Sequence, residues 1–357
     1  MYVSASSATR ENVLRAVRFE KPDYIPMTFH INDACWQSFE REFLLEQMAL
    51  HHFLFPDFQY PKGDFEVDFA PNARRNAPYT DPFGCLWETS ADGIVGSVHR
   101  HPLSSWEDWR DYVFPNPEKT DGLFPVDWDS FKLHCRQKRQ RGELVYGDLR
   151  HGHTFLQLCD LRGYENLLMD MAEDEPLLWE LIERLEAFNL YQIERFVETG
   201  VDMVRVPEDL GAQLGPMLTP QDFRKWIKPS YQRLLAPVRE AGIPIHMHSD
   251  GDIRLLCEDI IEGGVDVLNL QDLVNGVEWI GGKFRGKLCI DLDIDRQKIT
   301  YFGKAKDIDS LIREEVEKVG CPEGGLMMIY GLYPGVPKEN VKALMDAMER
   351  YAFYYSS

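Results

Sequence analysis

The sequence predicts an α/β fold: a (β/α)8 barrel of the TIM type that forms a single domain over residues 1–357, with an N-terminal insertion at about 57–117. Three observations predict it. Short apolar runs alternate with longer amphipathic segments, which is typical of parallel βα units. The number of such units favours a closed barrel over an open sheet. No Ser/Gly linker, low-complexity tract or internal repeat divides the chain, and 44% hydrophobic residues can bury a large core.

The predicted strands are the short apolar runs. In chain order they are YIPMTF (24–29), ELVYG (143–147), VDMVRV (201–206), IPIHMH (243–248), VDVLNL (265–270), GKLCI (286–290) and LMMIY (326–330). Each run has the length of a strand rather than of a helix, and polar or turn-forming residues follow it.

The segments between these runs carry helix signals. Between Asp174 and Gly200, apolar residues recur at spacings of three and four, with a proline near the start and a glycine at the end. Thr219 begins a capping signature, TPQD, and we expect the helix that follows to bend near Pro229, because proline has no N–H to donate. A last helix is predicted over about residues 337–354.

The insertion is rich in Pro, Gly, Asp and aromatic residues. Its alternating segment LWETSADGIVGSVHRHPL predicts a hairpin that turns at Ala91-Asp92-Gly93. Because so long an insertion follows the first strand, we expect it over or beside the C-terminal mouth of the barrel, as a lid or a docking wall.

Charge and cysteine usage limit the partners and the location. Fifty-nine acidic residues against 39 basic ones give a net charge of -20, which repels nucleic acid and anionic membranes, so neither is expected as a partner. The seven cysteines include no C-x-x-C pair and predict reduced thiols. The N-terminus lacks the apolar core of a signal peptide, and no stretch approaches the ~18 apolar residues of a membrane span. We expect a cytoplasmic protein.

The functional groups of a parallel barrel lie at the C-terminal ends of its strands. Nearly every predicted strand delivers polar residues there. They include His30, Asp148, His151, Glu208, Asp209, His246, His248, Asp250, Asn269, Gln271, Asp272, Asp291, Asp293 and Tyr330. A purely structural barrel has no reason to gather so many groups that are costly to desolvate.

This group is rich in carboxylates and imidazoles and poor in Lys and Arg. Such a balance suits a divalent cation or a cationic intermediate better than a phosphorylated substrate. His248 and Asp250 lie two residues apart at a strand end and are able to converge on one ion; a histidine that is only hydrogen-bonded within its loop is an equally open interpretation. The sequence contains no dinucleotide fingerprint, P-loop, nucleophile elbow or H-E-x-x-H motif.

Several longer segments carry a family resemblance. They are RENVLRAVRFEKPDYIPM, DPFGCLWETSADGIVGSVHRHPL, VPEDLGAQLGPMLTPQDFRKWIKPSYQRL, IHMHSDGDI, GGVDVLNLQD and YGLYPGVPKENVKALMDAM. Together they resemble the uroporphyrinogen decarboxylase superfamily, which also contains corrinoid-dependent methyltransferases. The resemblance extends over nearly the whole chain and implies a barrel enzyme, while leaving the reaction open.

The branches of this superfamily imply different chemistry. Its decarboxylases bind a polyanionic tetrapyrrole and typically carry an arginine-rich motif after the first strand. Here PMTFHINDACW contains no arginine or lysine, so porphyrinogen decarboxylation is not expected. Its zinc methyltransferases bind the metal with His-x-Cys and a later Cys. The matching residues are His248, Asp250 and Tyr330, and oxygen in place of sulfur suits polarising a substrate oxygen.

The leading hypothesis is therefore transfer of a methyl group from a small donor, a methoxylated aromatic, to the cobalt of a separate corrinoid protein. This O-demethylation would use zinc held by His248 with Asp250, Glu208 or Asp209, and cobalamin supplied by the partner. Tyr330, Asp209 and His248 are the candidate catalytic residues, Tyr330 as proton donor or ligand. The candidate substrate-binding residues are His30, Asp148, His151 and Gln271.

Two other hypotheses stay open. One is a metal-independent decarboxylase or lyase for a small carboxylic acid, in which His248 is the general acid and Asp250 orients it. The other is a degenerate barrel that serves as a scaffold, which ranks last because the strand ends are polar rather than apolar. A homodimer is left open as the oligomeric state.

Overall fold

The computed structural model describes residues 4–6, 9–63 and 65–356. The described strands are β1 Ser4–Ser6, β2 Met27–Ile31, β3 Tyr79–Thr80, β4 Leu86–Glu88, β5 Ser97–Arg100, β6 Tyr146–Asp148, β7 Met203–Arg205, β8 Gly211–Ala212, β9 Gly215–Pro216, β10 Ile245–Ser249, β11 Val267–Gln271, β12 Cys289–Asp293 and β13 Leu326–Leu332. Within the described part, seven of these strands are parallel, namely β2, β6, β7, β10, β11, β12 and β13.

Helices lie between the strands and after the last one. They are α1 Arg10–Arg18, α2 Cys35–Ser38, α3 Arg41–Leu50, α4 Trp128–Gln140, α5 Phe155–Arg162, α6 Tyr164–Glu173, α7 Pro176–Thr199, α8 Pro220–Asp222, α9 Lys228–Leu234, α10 Ala236–Glu240, α11 Cys257–Glu262, α12 Asp272–Asn275, α13 Val277–Phe284, α14 Ile299–Phe302, α15 Ala305–Val319 and α16 Lys338–Ala352. None of the helices described combines the length and apolar composition that crossing a bilayer requires.

The predicted strands are confirmed, with a systematic shift in their ends. Each observed strand ends at or beyond its apolar run, except β7, which ends one residue earlier, at Arg205. The last run, LMMIY, continues by two residues to Leu332. The alternation of side chains and the pairing with neighbouring strands, rather than apolar content, decide where a strand stops. The strands therefore include polar residues and glycine that follow the apolar runs.

The predicted helix ends are confirmed as well. α7 begins at Pro176 and ends at Thr199, and Gly200 adopts the left-handed conformation that favours glycine after a helix. The Thr219 hydroxyl accepts a hydrogen bond from the Asp222 backbone N–H at 3.1 Å. Residues 223–227 form a π-helical segment immediately before α9, so the α-helical pattern is interrupted close to Pro229. The bend expected near Pro229 stays a prediction.

The chain divides into two compact units. Unit 1 comprises Met1–Pro78, Glu88–Gly96 and Leu270–Ser357, and unit 2 comprises Tyr79–Trp87 and Ser97–Asn269. In unit 1 the strand order is β1, β2, β13, β12 and the end of β11, with β1 antiparallel to β2. In unit 2 the order is the start of β11, then β10, β7 and β6. That the chain is one domain stays a prediction.

One face of the unit 2 strands packs on helices, and the other carries polar and charged side chains. Gly147 of β6 faces the helices, because a Cβ atom there would lie 2.5 Å from the Phe196 ring of α7. Since side chains alternate along a strand, Tyr146 and Asp148 lie on the other face. Asp148 pairs with Arg205 in the β6–β7 register, and Arg205 pairs with His246 in the β7–β10 register. We call this face, which also carries His248, the inner face of unit 2.

The insertion forms the predicted hairpin, and its unit 2 part contacts the chain after β6. β4 and β5 are neighbours in a small sheet with β3, and their connection includes residues 91–93. His101 Nδ1 is 2.8 Å from the Asp160 carbonyl oxygen, and the Leu103 N–H donates to the Leu161 carbonyl at 3.0 Å. The insertion therefore packs on α5 within unit 2; a role as lid stays a prediction.

Candidate active site

The ends of three strands of unit 2, with the loops after them, bring imidazoles and carboxylates together. His151 and Asp209 lie in the loops after β6 and β7, His248 lies on β10, and Asp250 directly follows that strand. The loop after β7 stays bonded to β10, because the Glu208 N–H donates to the His248 carbonyl at 2.9 Å. Parallel strands thus deliver groups far apart in sequence to one edge of the sheet.

These four residues form what we call the His–Asp cluster. Asp209 Oδ1 lies 3.3 Å from His151 Nε2 and 3.5 Å from His248 Nε2. Asp250 Oδ1 also lies 3.5 Å from His248 Nε2. One ligand atom from each of His151, Asp209 and His248 falls within 4.8 Å of the others, which is close enough for all three to bind one metal ion.

The protonation of His248 follows from its other ring nitrogen. His248 Nδ1 lies 2.5 Å from the Asn269 amide oxygen, which only accepts hydrogen bonds, so Nδ1 carries a proton. Nε2 is then the ring nitrogen that faces Asp209 Oδ1 and Asp250 Oδ1, each 3.5 Å away. This nitrogen is the one available to a metal ion or to a proton shared with these carboxylates.

Asp209 is held as a carboxylate. Its burial opposes the charge, but hydrogen bonds from His151 and His248 outweigh that cost and place the pKa of Asp209 well below its usual value. The Asp250 backbone N–H also donates to Asp209 Oδ1, at 3.0 Å. Asp209 thus offers a fixed negative charge rather than a proton.

Two glycines allow close contact between the loop after β7 and the loop after β10. A Cβ atom on Gly211 would lie 2.6 Å from the carbonyl carbon of Gly251, and one on Gly251 would lie 2.2 Å from the carbonyl carbon of Gly211. Gly211 follows Asp209 by two residues and Gly251 follows His248 by three. The close backbone contact therefore sets the distance between the segments that carry these two side chains.

The expectation that Glu208 binds the metal is not supported by its position. Its carboxylate is fully buried and accepts hydrogen bonds from three backbone N–H groups at the start of α5, those of Thr154, Phe155 (3.0 Å) and Leu156 (3.1 Å). Burial nevertheless raises the pKa of Glu208 to about 7. Side chains of adjacent residues in an extended chain point to opposite sides. Asp209 therefore reaches the cluster, while Glu208 accepts hydrogen bonds from the backbone N–H groups at the N-terminus of α5, which have no partner within the helix.

The expectation that Tyr330 projects into the site is wrong. Its side chain is 0% exposed, and its ring lies 5.4 Å from that of Phe29, centroid to centroid, in the core of unit 1. Burial raises the pKa of Tyr330 above its ordinary value. Because β13 continues to Leu332, Tyr330 lies inside the strand and shares the buried face of Met328 and Leu332.

The remaining predicted residues occupy varied positions. His151 was expected to bind substrate and instead lies in the His–Asp cluster, whereas Asp148 forms a two-fold hydrogen-bonded pair with Arg205. In unit 1, His30 is half-buried on β2, and burial lowers its pKa. Gln271 is half-buried at the end of β11, where its carbonyl accepts a hydrogen bond from Asn275 at 2.9 Å.

Sequence reasoning assigned no role to two residues of this region. Asn269 was recognised as a polar residue at a strand end, but nothing in its sequence position tied it to His248. Arg205 lies within the run VDMVRV, and a charged residue inside an apolar strand was the available signal. The same signal marks His246, which is buried on the inner face.

Comparison with known proteins identifies the family. Residues 139–351, more than half of the chain, match the uroporphyrinogen decarboxylase (URO-D) family, and the chain belongs to that family. A solved methyltransferase from Methanosarcina mazei shares 18% identity with a TM-score of 0.59, over 76% of each chain. This likeness shows a shared fold and, with the parallel strands, confirms the predicted α/β class of TIM type.

Curated relatives fall into two groups by name. Uroporphyrinogen decarboxylase of Thermus thermophilus is 28% identical over 188 residues, which is 51% of each chain. The methylcobamide:CoM methyltransferase MtaA of Methanosarcina barkeri is 24% identical over 163 residues, 43% of each chain. The chain thus spans about half the length of these relatives, and both reactions occur among proteins similar to it.

Proposed function

We propose that this chain transfers a methyl group from a small donor, a methoxylated aromatic, to the cobalt of a separate corrinoid protein, with zinc at the His–Asp cluster. The observation that carries the proposal is the convergence of His151, Asp209 and His248 at the loop ends of three parallel strands. The likeness to proteins named as methyltransferases, one of them acting on a methylcobamide, supports the reaction class and the corrinoid partner.

The donor set fits zinc. Two imidazole nitrogens and a carboxylate oxygen are ligands that catalytic zinc sites use, leaving a position for substrate. Asp250 flanks this set as an additional oxygen donor. The Asn269 oxygen accepts from His248 Nδ1, which is how the second nitrogen of a metal-bound imidazole is usually held. The proposed set differs from the His248, Asp250 and Glu208 that the sequence suggested, because the Glu208 carboxylate accepts backbone N–H groups at the start of α5 instead.

Cleaving an aryl methyl ether leaves negative charge on the departing oxygen, and zinc bound here would supply a Lewis acid for it. The chain's own residues fix where that charge develops. Asn269 orients the His248 ring, the Asp250 N–H holds Asp209, and the low pKa of Asp209 keeps its oxygen charged. None of these groups has to reorganise during the reaction, which is the condition for electrostatic stabilisation.

A second candidate is favoured by the same contacts. If His248 Nε2 carries a proton instead of a cation, it becomes an imidazolium held between Asp209 and Asp250, each 3.5 Å away. Such a group is a general acid, and it suits a metal-free decarboxylase or lyase for a small carboxylic acid. The relatives named uroporphyrinogen decarboxylase support this candidate.

Metal content separates the two candidates. We expect purified protein to bind about one zinc per chain, and His248→Ala to lose that zinc together with methyl transfer from methoxylated aromatics to Co(I) corrinoid protein. The control is His52→Ala, which removes an exposed histidine of unit 1. The melting transition should change little in either variant. Full activity in chelator-treated, zinc-free protein would eliminate the zinc proposal and favour the imidazolium.

A further inference from the structure

A charged layer lies on the inner face of unit 2, below the His–Asp cluster. It consists of Asp148 and Arg205, which face each other in the β6–β7 register, with His246 next to Arg205 on β10. His246 precedes His248 by two residues, so the layer lies about 6.6 Å nearer to the strand starts. Interior positions of this fold class usually carry branched apolar side chains, and charges there call for an explanation.

The arginine of this layer is fixed in orientation yet accessible. Arg205 donates from Nε and Nη2 to the two carboxylate oxygens of Asp148, at 2.6 and 2.8 Å. Its guanidinium carbon lies 4.1 Å from the centroid of the Tyr146 ring, which supports the guanidinium plane. Despite these contacts, 43% of the Arg205 side chain and 47% of the Asp148 side chain are exposed.

A structural role explains this pair poorly. An exposed ion pair contributes little to stability, because water screens the charges and two long side chains lose freedom. What the pair does provide is an oriented guanidinium whose Nε–Nη2 edge already binds one carboxylate, that of Asp148, in the two-pronged geometry that a substrate carboxylate would take.

We propose that Arg205 recognises a carboxylate of the substrate, so that the methyl donor is a methoxylated aromatic acid; this inference rests on the proposed function. The carboxylate of the acid shares Arg205 with Asp148 or displaces the Asp148 carboxylate from it. The aromatic ring of the acid extends along the strand direction toward His248. One substituted benzene ring spans the separation of the two layers. Asp148, Asp209 and Asp250 together disfavour a dianionic phosphate, whereas a single carboxylate is compatible with one arginine.

Binding of two matched probes tests the proposal without zinc or corrinoid protein. The probes are 3-methoxybenzoate and its uncharged analogue 3-methoxybenzamide, measured by calorimetry. We expect the intact chain to bind the acid more tightly than the amide. Arg205→Gln should weaken acid binding about 10- to 100-fold, the effect of losing a charge-assisted pair, and leave the amide unchanged. Asp148→Asn should instead strengthen acid binding several-fold, because it removes the competing carboxylate.

The control is Arg233→Gln. Arg233 also makes a two-fold pair, with Glu186 at 2.8 and 2.7 Å, on the exposed surface of unit 2. This variant should not change the affinity for either probe. If the pair is only structural, Arg205→Gln and Asp148→Asn should change the affinity for the acid in the same direction or leave it unchanged.

Several results would overturn the inference. They are equal binding of acid and amide, no binding of either probe, or an unchanged preference in Arg205→Gln. Should Arg205→Gln fail to fold, Asp148→Asn decides, since its affinity for the acid has to rise. Failure of methyl transfer with the acid preference intact would reject the proposed reaction and keep the carboxylate site, so the two failures are distinguishable.

Discussion

Replacing Gly211 with alanine should weaken zinc binding without unfolding the chain. The added Cβ atom would lie 2.6 Å from the Gly251 carbonyl carbon and 2.7 Å from the Asp250 carbonyl oxygen. Ordinary contact begins at 3.4 Å, so the two segments have to separate by 3.4 − 2.6 = 0.8 Å. Both neighbours are backbone atoms, which cannot rotate away as a flexible side chain would.

That separation acts on residues that we propose as metal ligands. Asp209 and His248 lie on opposite sides of the contact, and a zinc site tolerates deviations of only about 0.2 Å in its bond lengths. A displacement of 0.8 Å therefore exceeds the tolerance several-fold. Changes to residues that support metal ligands typically cost 10–100-fold in affinity, and we expect at least about a tenfold rise in the zinc dissociation constant, about 1.4 kcal/mol.

Competition with a chromophoric chelator measures the zinc affinity, and the visible spectrum of the Co(II)-substituted protein reports the coordination geometry. The control is Gly282→Ala, since a Cβ atom at Gly282 in α13 meets nothing within 4 Å. Circular dichroism and melting show whether each variant is folded. If Gly211→Ala binds zinc within twofold of the parent and keeps its Co(II) spectrum, the glycine contact does not set the ligand spacing.

Two further predictions concern unit 1. Tyr330→Phe should change turnover less than about threefold, because a side chain buried beside Phe29 does not reach substrate, and stability by about 1 kcal/mol at most; a 100-fold rate loss would contradict this. In the buried pair Glu315 and Asp272, burial raises the pKa of Glu315 well above 4.5 and that of Asp272 to about 6. A raised folded-state pKa gives stability that is complete below the unfolded pKa and is lost as pH rises through the folded one. Glu315→Gln removes the titrating group. The melting temperature of this variant, measured relative to that of the parent, should therefore rise from pH 5 to pH 8. A difference in melting temperature that stays constant over this pH range would refute the pairing.

The periodicity of the sequence determined the secondary structure and the region of the site. Apolar runs of strand length located the parallel strands, and helix signals such as Pro176, Gly200 and Thr219 gave correct helix ends. The polar residues at the ends of these runs pointed to one edge of the sheet, and His248, Asp250 and Asp209 were found together there. These features are local or follow from the rule for parallel sheets, so no tertiary contact was needed to infer them.

The tertiary structure alone decided which side chain faces which way. A strand that continues two residues beyond its apolar run left Tyr330 inside β13, on its buried face, and the alternation of side chains separated Glu208 from Asp209. The pairing of Arg205 with Asp148 depends on strand register, and the contact of Gly211 with Gly251 depends on the approach of two loops 40 residues apart (251 − 211 = 40). Register and loop packing are set by the whole hydrogen-bonded sheet and its helices, which a single sequence does not encode in any local pattern.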